Sequence, residues 1–566
     1  MNFARERIAT KSLRSTIVVG RVALRPGSPR SARQTTVETR TMPRTSVTRP
    51  LSVGAISFSA IRLALKIAVA LLAANLTTLA ATRPNIVFIL ADDLGWKDVG
   101  YMGSTFYRTP NIDRLAREGM QFSQAYSPAC VCSPSRGAIF SGKNPARTAL
   151  TTVWDGPGGP DDRLFDRSKD RGGANQFLEA QHRHALPRSE ITFAKALADG
   201  GYATGFFGKW HCGEVPGYQP EDFGFQVARG YRLPKTGGNT KGHWAGSYPT
   251  NTLANLPGLA PDDYLADVLT DEAIGFIRTN KSRPFLVMLS HYLVHLPLQP
   301  KPELVTAYDG LPRSDQTNSK YAAMIESLDN SVGRVLQTLR ECGLEENTMV
   351  VFVSDNGGHT GVTSNYPLLG GKASPFEAGM RVPLAIRWPA RVKPGTSSSE
   401  RVIGMDFYPT FLEAAGLPPR PAQHVDGVSL LPVLTANAKL AARPLVFHFP
   451  HYSGSAAPNS VLLEQDWKLI RFYNDAAGRH LLYNLANDPF EQRDLSAALP
   501  DKVLALDERL TRLLADMKAQ LPLKNPDFDP NGKKISNRAT TLAHAERDRL
   551  MFAARVETNS PSRGAK

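Results

Sequence analysis

A cysteine followed closely by proline and arginine stands at the predicted start of a helix. Cys132, Pro134 and Arg136 lie in a segment that leads into an apolar stretch, which Gly142 ends. Proline suits the first helical turn, because the N–H groups there have no partner within the helix. These N–H groups and the helix dipole favour an anion, so the electronic environment of Cys132 is predicted to be unusual. The alternative is an ordinary buried cysteine at a loop–helix junction.

Two predicted strands end in adjacent acidic or amide residues. The apolar run at 85–91 is followed by Asp92 and Asp93, and the run at 348–354 is followed by Asp355 and Asn356. Neighbouring carboxylates are costly to bury without a cation. Their oxygens favour a hard ion, Ca²⁺ or Mg²⁺. Each pair by itself is also typical of a turn or a helix cap, but the repetition after two buried strands favours a metal site.

Basic residues and histidines follow two further predicted strands. Lys209 and His211 come after one of them, and His291 and His295 come after the next. Ligands of open α/β sheets gather beyond the carboxyl ends of the strands, so these side chains are expected near the carboxylates. The histidines lack the close spacing of zinc ligands, which disfavours zinc. Lys209 and a later lysine, Lys372, are individually also typical of a solvated surface.

The order of helices and strands predicts an α/β domain. Apolar runs without alternation indicate strands buried on both faces, as in a parallel sheet. Helical periodicity separates them, most clearly over residues 320–341. We therefore expect a first domain over residues 82–442, built on a large, mostly parallel or mixed sheet flanked by helices.

The pattern changes after residue 442. An amphipathic helix at 501–518 follows short strands predicted at 444–449, 460–463, 467–473 and 480–485. This indicates a C-terminal α+β subdomain over residues 443–522, with an antiparallel sheet and a helix. Residues 523–566 form a polar tail of mixed charge, which predicts an extended arm or disorder.

The basic charge is concentrated in residues 1–81. The 566 residues carry a formal net charge of +15. Residues 1–81, which we call the leader, contain 13 Lys and Arg and 2 acidic residues and therefore contribute +11 of this charge. The folded part is nearly balanced, so no nucleic-acid binding is expected. Two basic residues precede an apolar run that is short for a membrane span, which predicts a signal peptide and a periplasmic or secreted protein. A membrane anchor is the alternative, and a start at Met42 instead of Met1 would give a more usual signal length.

Together these motifs resemble those of the type I, formylglycine-dependent sulfatases of the alkaline phosphatase superfamily, particularly bacterial arylsulfatase A-like enzymes. The likeness extends from about residue 84 to residue 521. It rests on the segments 84–93, 109–113, 132–143, 208–211, 354–358 and 371–372. The segment from His291 to Pro297 is one residue longer than in animal arylsulfatases, which leaves a choice between His291 and His295.

The resemblance implies an alkaline-phosphatase-like fold and a sulfuric ester hydrolase. In this family a maturation enzyme oxidises the motif cysteine, here Cys132, to Cα-formylglycine, whose hydrate is the nucleophile. The implied cofactor is Ca²⁺, with Mg²⁺ as the rival. The implied metal ligands are Asp92, Asp93, Cys132 as formylglycine, Asp355 and Asn356.

The remaining implied roles concern the substrate and the nucleophile. Arg136, Lys209 and His211 would orient and stabilise the hydrate. His295 would protonate the leaving oxygen, and Lys372 would bind a sulfate oxygen.

A sulfated carbohydrate or an aryl sulfate is the expected substrate. The predicted export and the polar and aromatic residues in the insertions 151–190 and 213–262 favour a carbohydrate. The alternative activity in the same fold is hydrolysis of phosphonate monoesters or phosphodiesters. A catalytically inactive carbohydrate-binding relative is disfavoured, because every expected ligand type is present.

Overall fold

The computed structural model describes Lys66 and most of the chain from Arg83 to Asn559. Within that range it leaves out 154–162, 166–174, 214, 232–252, 254, 257–258, 261, 313, 454–455, 474–479, 530 and 532–537. The predicted signal peptide and parts of both insertions lie outside the described residues. Apart from Lys66, the described residues belong to one compact unit, Val69–Lys566. Among the helices described, none is long and apolar enough to cross a bilayer.

The described residues contain strands β1 to β16, numbered in chain order. They are Asn85–Ala91, Met120–Phe122, Ala125–Tyr126, Phe177–Leu178, Ala203–Gly208, Val227–Arg229, Phe285–Ser290, Thr348–Ser354, Leu384–Arg387, Thr396–Ser398, Val402–Ile403, Leu445–Phe449, Asn459–Glu464, Trp467–Phe472, His480–Asn484 and Leu523–Lys524.

The described α-helices are α1 to α12. They are Pro110–Arg117, Cys132–Ser141, Pro145–Thr148, Phe193–Asp199, Leu265–Thr279, Pro302–Asp309, Ser319–Glu341, Glu377–Met380, Phe407–Ala414, Leu431–Ala436, Pro500–Asp516 and Arg538–Asn559.

Eight strands form the central sheet, in the order β10-β2-β9-β8-β1-β7-β5-β6. All neighbouring pairs in it are parallel except the two that β9 makes with β2 and β8. Strands β8, β1, β7 and β5 lie side by side and run in the same direction, so their carboxyl ends meet at one edge. The predicted large, mostly parallel mixed sheet is confirmed.

Hydrophobic cores cover both faces of this sheet. Along β1, Ile86, Phe88 and Leu90 belong to one core, while Val87 and Ile89 belong to the other. Helices α4 and α9 contribute to the first core, and α5 and α7 contribute to the second. A strand covered on both sides can be apolar at every position, which explains the runs without alternation.

Strands β12 to β15 form a smaller antiparallel sheet. Helix α11 covers one face, where Leu510 packs in a cluster with Leu469. The other face packs against the domain of the central sheet, where the rings of Phe447 and Tyr126 lie 6.0 Å apart. The predicted antiparallel sheet with a helix is confirmed, and it is fixed to the larger sheet by an apolar interface.

A buried ion cluster joins the smaller sheet to the segment that follows Lys372. Lys468 in β14 lies 3.0 Å from Glu377 and 2.7 Å from Glu491, and each of these side chains is at most 1% exposed. Burial raises the pKa of Glu491 to about 7. For Glu377, the attraction of Lys468 and a nearby arginine outweighs burial and lowers the pKa. Since removing one partner would leave a charge buried and unpaired, the cluster fixes the two parts together.

The tail differs from its prediction as an extended arm or disordered segment. It contains β16 and the 22-residue helix α12. Strand β16 pairs with β4, which lies in the first insertion. These elements were not predicted because two-residue strands show no periodicity, and the tail's polar composition masks its helix.

Candidate active site

The predicted polar residues follow the carboxyl ends of four neighbouring strands in the central sheet. After β1, β8, β5 and β7 come, respectively, Asp92 and Asp93, Asp355 and Asn356, Lys209, and His291. All six side chains are buried. The parallel arrangement therefore brings them to one sheet edge, as predicted.

Cys132 is the first residue of helix α2 and lies among the carboxylates. Its Sγ donates to Oδ1 of Asp92 at 3.3 Å and to Oδ1 of Asp93 at 3.7 Å. Burial and the negative charges of Asp355 and Asp92 raise the pKa of the thiol. Burial and the carboxylates therefore oppose the effect of the helix N-terminus on this thiol.

Arg136 lies one helical turn further and is fully buried. Its Nε donates to Asp355 Oδ2 at 2.8 Å, and its Nη1 donates to the Lys209 carbonyl and to Ser290 Oγ, both at 2.7 Å. Arg136 thereby connects helix α2 to the ends of β8, β5 and β7. Such a fixed guanidinium has a single orientation toward the cluster.

Lys209 follows β5 and neutralises Asp92, with 2.5 Å between Nζ and Oδ2. The chain turns sharply at the end of β5, because Gly208, the residue before Lys209, has a φ of 115°. A Cβ atom at Gly208 would lie 1.9 Å from the Ser290 carbonyl oxygen. Only glycine allows β5 and β7 to approach closely enough at this point to place Lys209.

Lys372 and His295 approach the cluster from its other side. Nζ of Lys372 lies 2.6 Å from Asp93 Oδ2 and 3.0 Å from Nε2 of His295. The Nδ1 atom of His295 lies 2.6 Å from the carbonyl oxygen of Leu296, which fixes the ring and assigns that nitrogen as the donor. Burial lowers the pKa of His295, although Asp93 opposes the shift.

The structure brings His295 to the carboxylates, whereas His291 faces a helix. Nε2 of His291 lies 2.9 Å from the hydroxyl of Ser331 in α7. Burial lowers the pKa of His291 to about 3. His291 is thus a neutral core residue, and the geometry agrees with the predicted preference for His295.

His211 lies two residues beyond Lys209, as its motif requires. Its side chain is 4% exposed, and its backbone is left-handed with a φ of 57°. The turn after β5 therefore carries both predicted residues into the buried region. The role predicted for His211 stays a prediction.

Opposite charges hold Asp92 and Asp93 in their ionised forms. Burial alone would raise the pKa of Asp92, but Lys209 and its other cationic neighbours lower it. Burial also opposes ionisation of Asp93, where Lys372 lowers the pKa. Asp355 behaves differently, since burial and the charge of Asp92 raise its pKa to about 6.

The donor atoms of the cluster suit a metal ion. Oxygens of Asp92 and Asp93, Sγ of Cys132 and a ring nitrogen of His295 lie within 4.8 Å of one another. Asn356 donates its Nδ2 to Asp93 at 2.8 Å. The Oδ1 of Asn356 is buried and accepts no hydrogen bond from the residues described. Such an acceptor is costly unless it has a partner, which a cation between these oxygens would provide.

Asp355 joins the group through the backbone, because the Asp93 N–H donates to Asp355 Oδ1 at 3.2 Å. The residues predicted as metal ligands are therefore brought together, although Asp355 is also the partner of Arg136.

Ser290 was not singled out from the sequence. Its hydroxyl accepts from Arg136 and donates to the Lys209 carbonyl, each at 2.7 Å. The available signal was a small polar residue at the end of an apolar strand. Without the partners from two other segments, that signal does not distinguish a positioning residue from an ordinary strand end.

Family comparisons agree with this arrangement. The family model described as Sulfatase matches residues 84–417, more than half of the chain. The chain belongs to the Sulfatase family. A second model, described as N-sulphoglucosamine sulphohydrolase, C-terminal, matches residues 371–520.

Individual relatives cover most of the folded part of this sulfatase. A sulfatase of Formosa agariphila is 31% identical over 80% of this chain and 93% of its own length. The N-acetylgalactosamine-6-sulfatase of Canis lupus familiaris is 31% identical over 64% of this chain and 68% of its own. The solved structure of Ps i-CgsB aligns with a TM-score of 0.64 and 25% identity, over 84% of this chain and 99% of that one. Ps i-CgsB has also been solved in complex with k-i-k-neocarrahexaose.

The family and these relatives establish the reaction class. The protein is a sulfuric ester hydrolase with an alkaline-phosphatase-like fold, as the motifs predicted. The family also implies a metal and a formylglycine, and the acidic cluster offers a possible site for the metal.

The glycine before Lys209 gives a direct test of the site's backbone. We expect Gly208→Ala to lower stability by more than about 2 kcal/mol, because its Cβ would overlap the Ser290 carbonyl and its φ is positive. Hydrolysis of an aryl sulfate should also fall, since Lys209 would shift. The measurements are the urea unfolding midpoint and the hydrolysis rate.

Gly275→Ala is the matched control. Gly275 lies in helix α5 with no atom near the position of an added Cβ. Alanine is expected to stabilise this position by up to about 1 kcal/mol. Equal stability of both variants would contradict the close approach of β5 and β7.

Proposed function

We propose that this sulfatase removes a sulfate ester from a carbohydrate, using a formylglycine hydrate at position 132 and a bound Ca²⁺. The observation that carries the proposal is the buried cluster around Cys132. Its Sγ lies 3.3 Å from Asp92, while Arg136, Lys209 and Lys372 contact the same group of carboxylates. A cationic site next to this side chain suits an anionic ester.

The chemistry of the ester favours an oxidised cysteine as the nucleophile. A serine that attacked sulfur would form a stable sulfated enzyme. When present at position 132, a formylglycine hydrate would supply one hydroxyl as the nucleophile toward sulfur and a second hydroxyl that allows sulfate to be released as the aldehyde forms again. Water would then restore the hydrate, so that the net reaction is hydrolysis. A maturation enzyme that oxidises Cys132 is the partner that this proposal requires.

The proposed metal ligands are the oxygens of Asp92, Asp93, Asp355 and Asn356, together with an oxygen of the modified Cys132. A bound divalent cation supplies positive charge that favours a deprotonated nucleophile and an electron-poor sulfate. Mg²⁺ usually keeps several waters, so a buried site in which the protein supplies most ligands favours Ca²⁺.

The proposed proton donor to the leaving oxygen is His295 in its imidazolium form, with protons on both ring nitrogens. Its hydrogen bond to the Leu296 carbonyl directs Nε2 toward Asp93 and Lys372. Lys372 is the proposed partner of a sulfate oxygen. Arg136, Lys209 and His211 are proposed to orient the nucleophile.

A carbohydrate substrate is supported by two relatives. One is named for N-acetylgalactosamine-6-sulfate, and the other was solved with a neocarrahexaose. Export, predicted from residues 1–81, would bring the enzyme to polymers that do not enter the cell.

The first test concerns the reaction and its nucleophile. The purified enzyme should release sulfate from an aryl sulfate much faster than it cleaves an aryl phosphodiester. The peptide containing residue 132 should be about 18 Da lighter than its thiol form, the difference between –CH₂SH and –CHO. Mass spectrometry and the two hydrolysis rates are the measurements.

Cys132→Ala should remove nearly all turnover, and Cys130→Ala is the matched control because its thiol lies outside the carboxylate cluster. A fully active preparation that retains the Cys132 thiol would exclude the mechanism. A faster phosphodiester reaction would favour the alternative activity.

The second test concerns the metal. Asp355→Asn is expected to lose both bound Ca²⁺ and activity, because a neutral amide replaces a charged ligand and weakens the hold on Arg136. Glu508→Gln is the control, since Glu508 is exposed on helix α11. Elemental analysis of both proteins gives the metal content. Full calcium retention in Asp355→Asn, or stoichiometric zinc in the wild type, would contradict the ligand set.

The third test concerns the acid. General acid catalysis typically contributes about 10²–10⁴-fold, and a sugar alkoxide needs the proton more than an activated phenolate does. His295→Ala should therefore slow a sulfated sugar far more than an aryl sulfate, whereas Lys372→Ala should slow both. Rates of each variant on the two substrates provide the comparison. Equal losses for His295→Ala would remove it from this role, and His291→Ala shows whether the other histidine has it.

A further inference from the structure

A cavity of about 670 Å³ lies beside the catalytic cluster. Its walls come from residues 315–318, from residues 359–364 and from helix α12. Its volume falls within the range of about 300–1,000 Å³ that small-molecule pockets occupy. None of the residues assigned to the metal or the nucleophile lines it, so it is a separate space from the sulfate site.

The middle wall of this cavity is continuous with the catalytic segments. His359, the first residue of this wall, directly follows Gly358. The Gly358 carbonyl accepts a hydrogen bond from the backbone N–H of Lys372 at 3.0 Å. The charges of Asp93 and Lys372 act on the His359 ring, and so does that of Asp548 in helix α12. His359 therefore belongs both to the cavity lining and to the stretch of chain that directly follows the catalytic residues.

The same wall is also held against the end of β1. Thr363 donates its hydroxyl to Asp98 at 2.6 Å, and Tyr321 donates to the same carboxyl at 2.8 Å. The Tyr321 hydroxyl also lies 3.3 Å from the Asp93 carbonyl. The cavity wall is thus rigidly placed with respect to the carboxylate cluster, as a binding surface requires.

The lining is polar but carries no excess charge. Thr360 offers a hydroxyl group, whereas the Thr363 hydroxyl and the Asn318 amide are already bonded within the protein. Asp315 is paired with Lys97 at 2.9 Å, and Arg547 is paired with Asp548 at 3.1 Å. Because Asp315 and Arg547 each have a partner of opposite charge, the described lining suits an uncharged polyhydroxy ligand, whose hydroxyls can donate to the carboxylates of Asp315 and Asp548.

Helix α12 is fixed where it closes the cavity. Ala545 is buried in the core of the smaller sheet, with Leu542 packed against that core. The hydroxyl of Thr541 accepts the Ala457 N–H at 3.1 Å. Met551, one helical turn beyond Arg547, supplies the apolar part of the wall.

We propose that this cavity binds an uncharged sugar unit joined to the sulfated sugar, so that helix α12 makes the enzyme selective for oligosaccharides. This inference rests on the proposed activity toward sulfated carbohydrates. It assigns the C-terminal tail a part in substrate selection.

Matched pairs of substrates test the inference. Each pair is a monosulfated monosaccharide of galactose, N-acetylgalactosamine or N-acetylglucosamine and the disaccharide in which an uncharged sugar is added. In at least one pair, wild-type kcat/KM should be about tenfold higher for the disaccharide, which corresponds to one good contact. Met551→Trp, which narrows the cavity with a bulky ring on its α12 side, should strongly reduce this preference.

Leu550→Trp is the matched control. Leu550 is 53% exposed on the same helix but does not line the cavity, so the variant should keep the disaccharide preference. A preference that survives Met551→Trp, or a wild-type enzyme without any preference, overturns the inference. Absence of sulfate release from every saccharide, with an aryl sulfate still hydrolysed, would instead overturn the carbohydrate substrate on which it depends.

Discussion

Three buried carboxylates in one cluster are the constraint on which the rest of this structure depends. Asp92, Asp93 and Asp355 would repel one another strongly in a low-dielectric interior, so they require compensation. Arg136 contacts Asp355, and the two lysines contact Asp92 and Asp93, which balances the formal charges of the protein groups. A bound divalent cation would shift this balance to +2, the sign that a sulfate monoester and a released sulfate ion both need.

Backbone strain is concentrated at the same place. Asp93, His211 and Ala373 all have positive φ values, and each is itself a proposed site residue or directly follows one. Left-handed backbone at a residue other than glycine costs about 1–3 kcal/mol and persists only where the surroundings enforce it. Here the surroundings are parallel strands that end together, after which the chain must turn sharply to aim Asp92, Lys209 and Lys372 at one point. The central sheet holds the strand ends rigidly, and the strained turns direct the side chains toward one another.

The sequence was most informative where one physical signal acted alone. Uninterrupted apolar runs identified β1 and β8, and their acidic ends gave Asp92 and Asp355, because burial on two faces leaves a clear pattern. Ser290 was missed because its function depends on partners from two distant segments, which no local pattern records. The raised thiol pKa was missed for a related reason, since the helix position of Cys132 is a local feature and the opposing carboxylates are not. Helix α12 was missed because its polar composition suggested disorder.

The segment that carries Lys372 shows why the smaller sheet belongs to the active site. The Lys372 N–H donates to the Gly358 carbonyl at 3.0 Å, and the next N–H donates to the Cys130 carbonyl at 2.8 Å. Five residues beyond Lys372, Glu377 forms the buried pair with Lys468 of β14. The segment is thus held by the metal-ligand region, by the residues just before Cys132 and by the smaller sheet. Because removing one partner of a buried ion pair is costly, docking of the smaller sheet and placement of Lys372 are energetically coupled. The central sheet brings the carboxylates together, but the position of Lys372, the lysine that contacts Asp93, depends on both sheets.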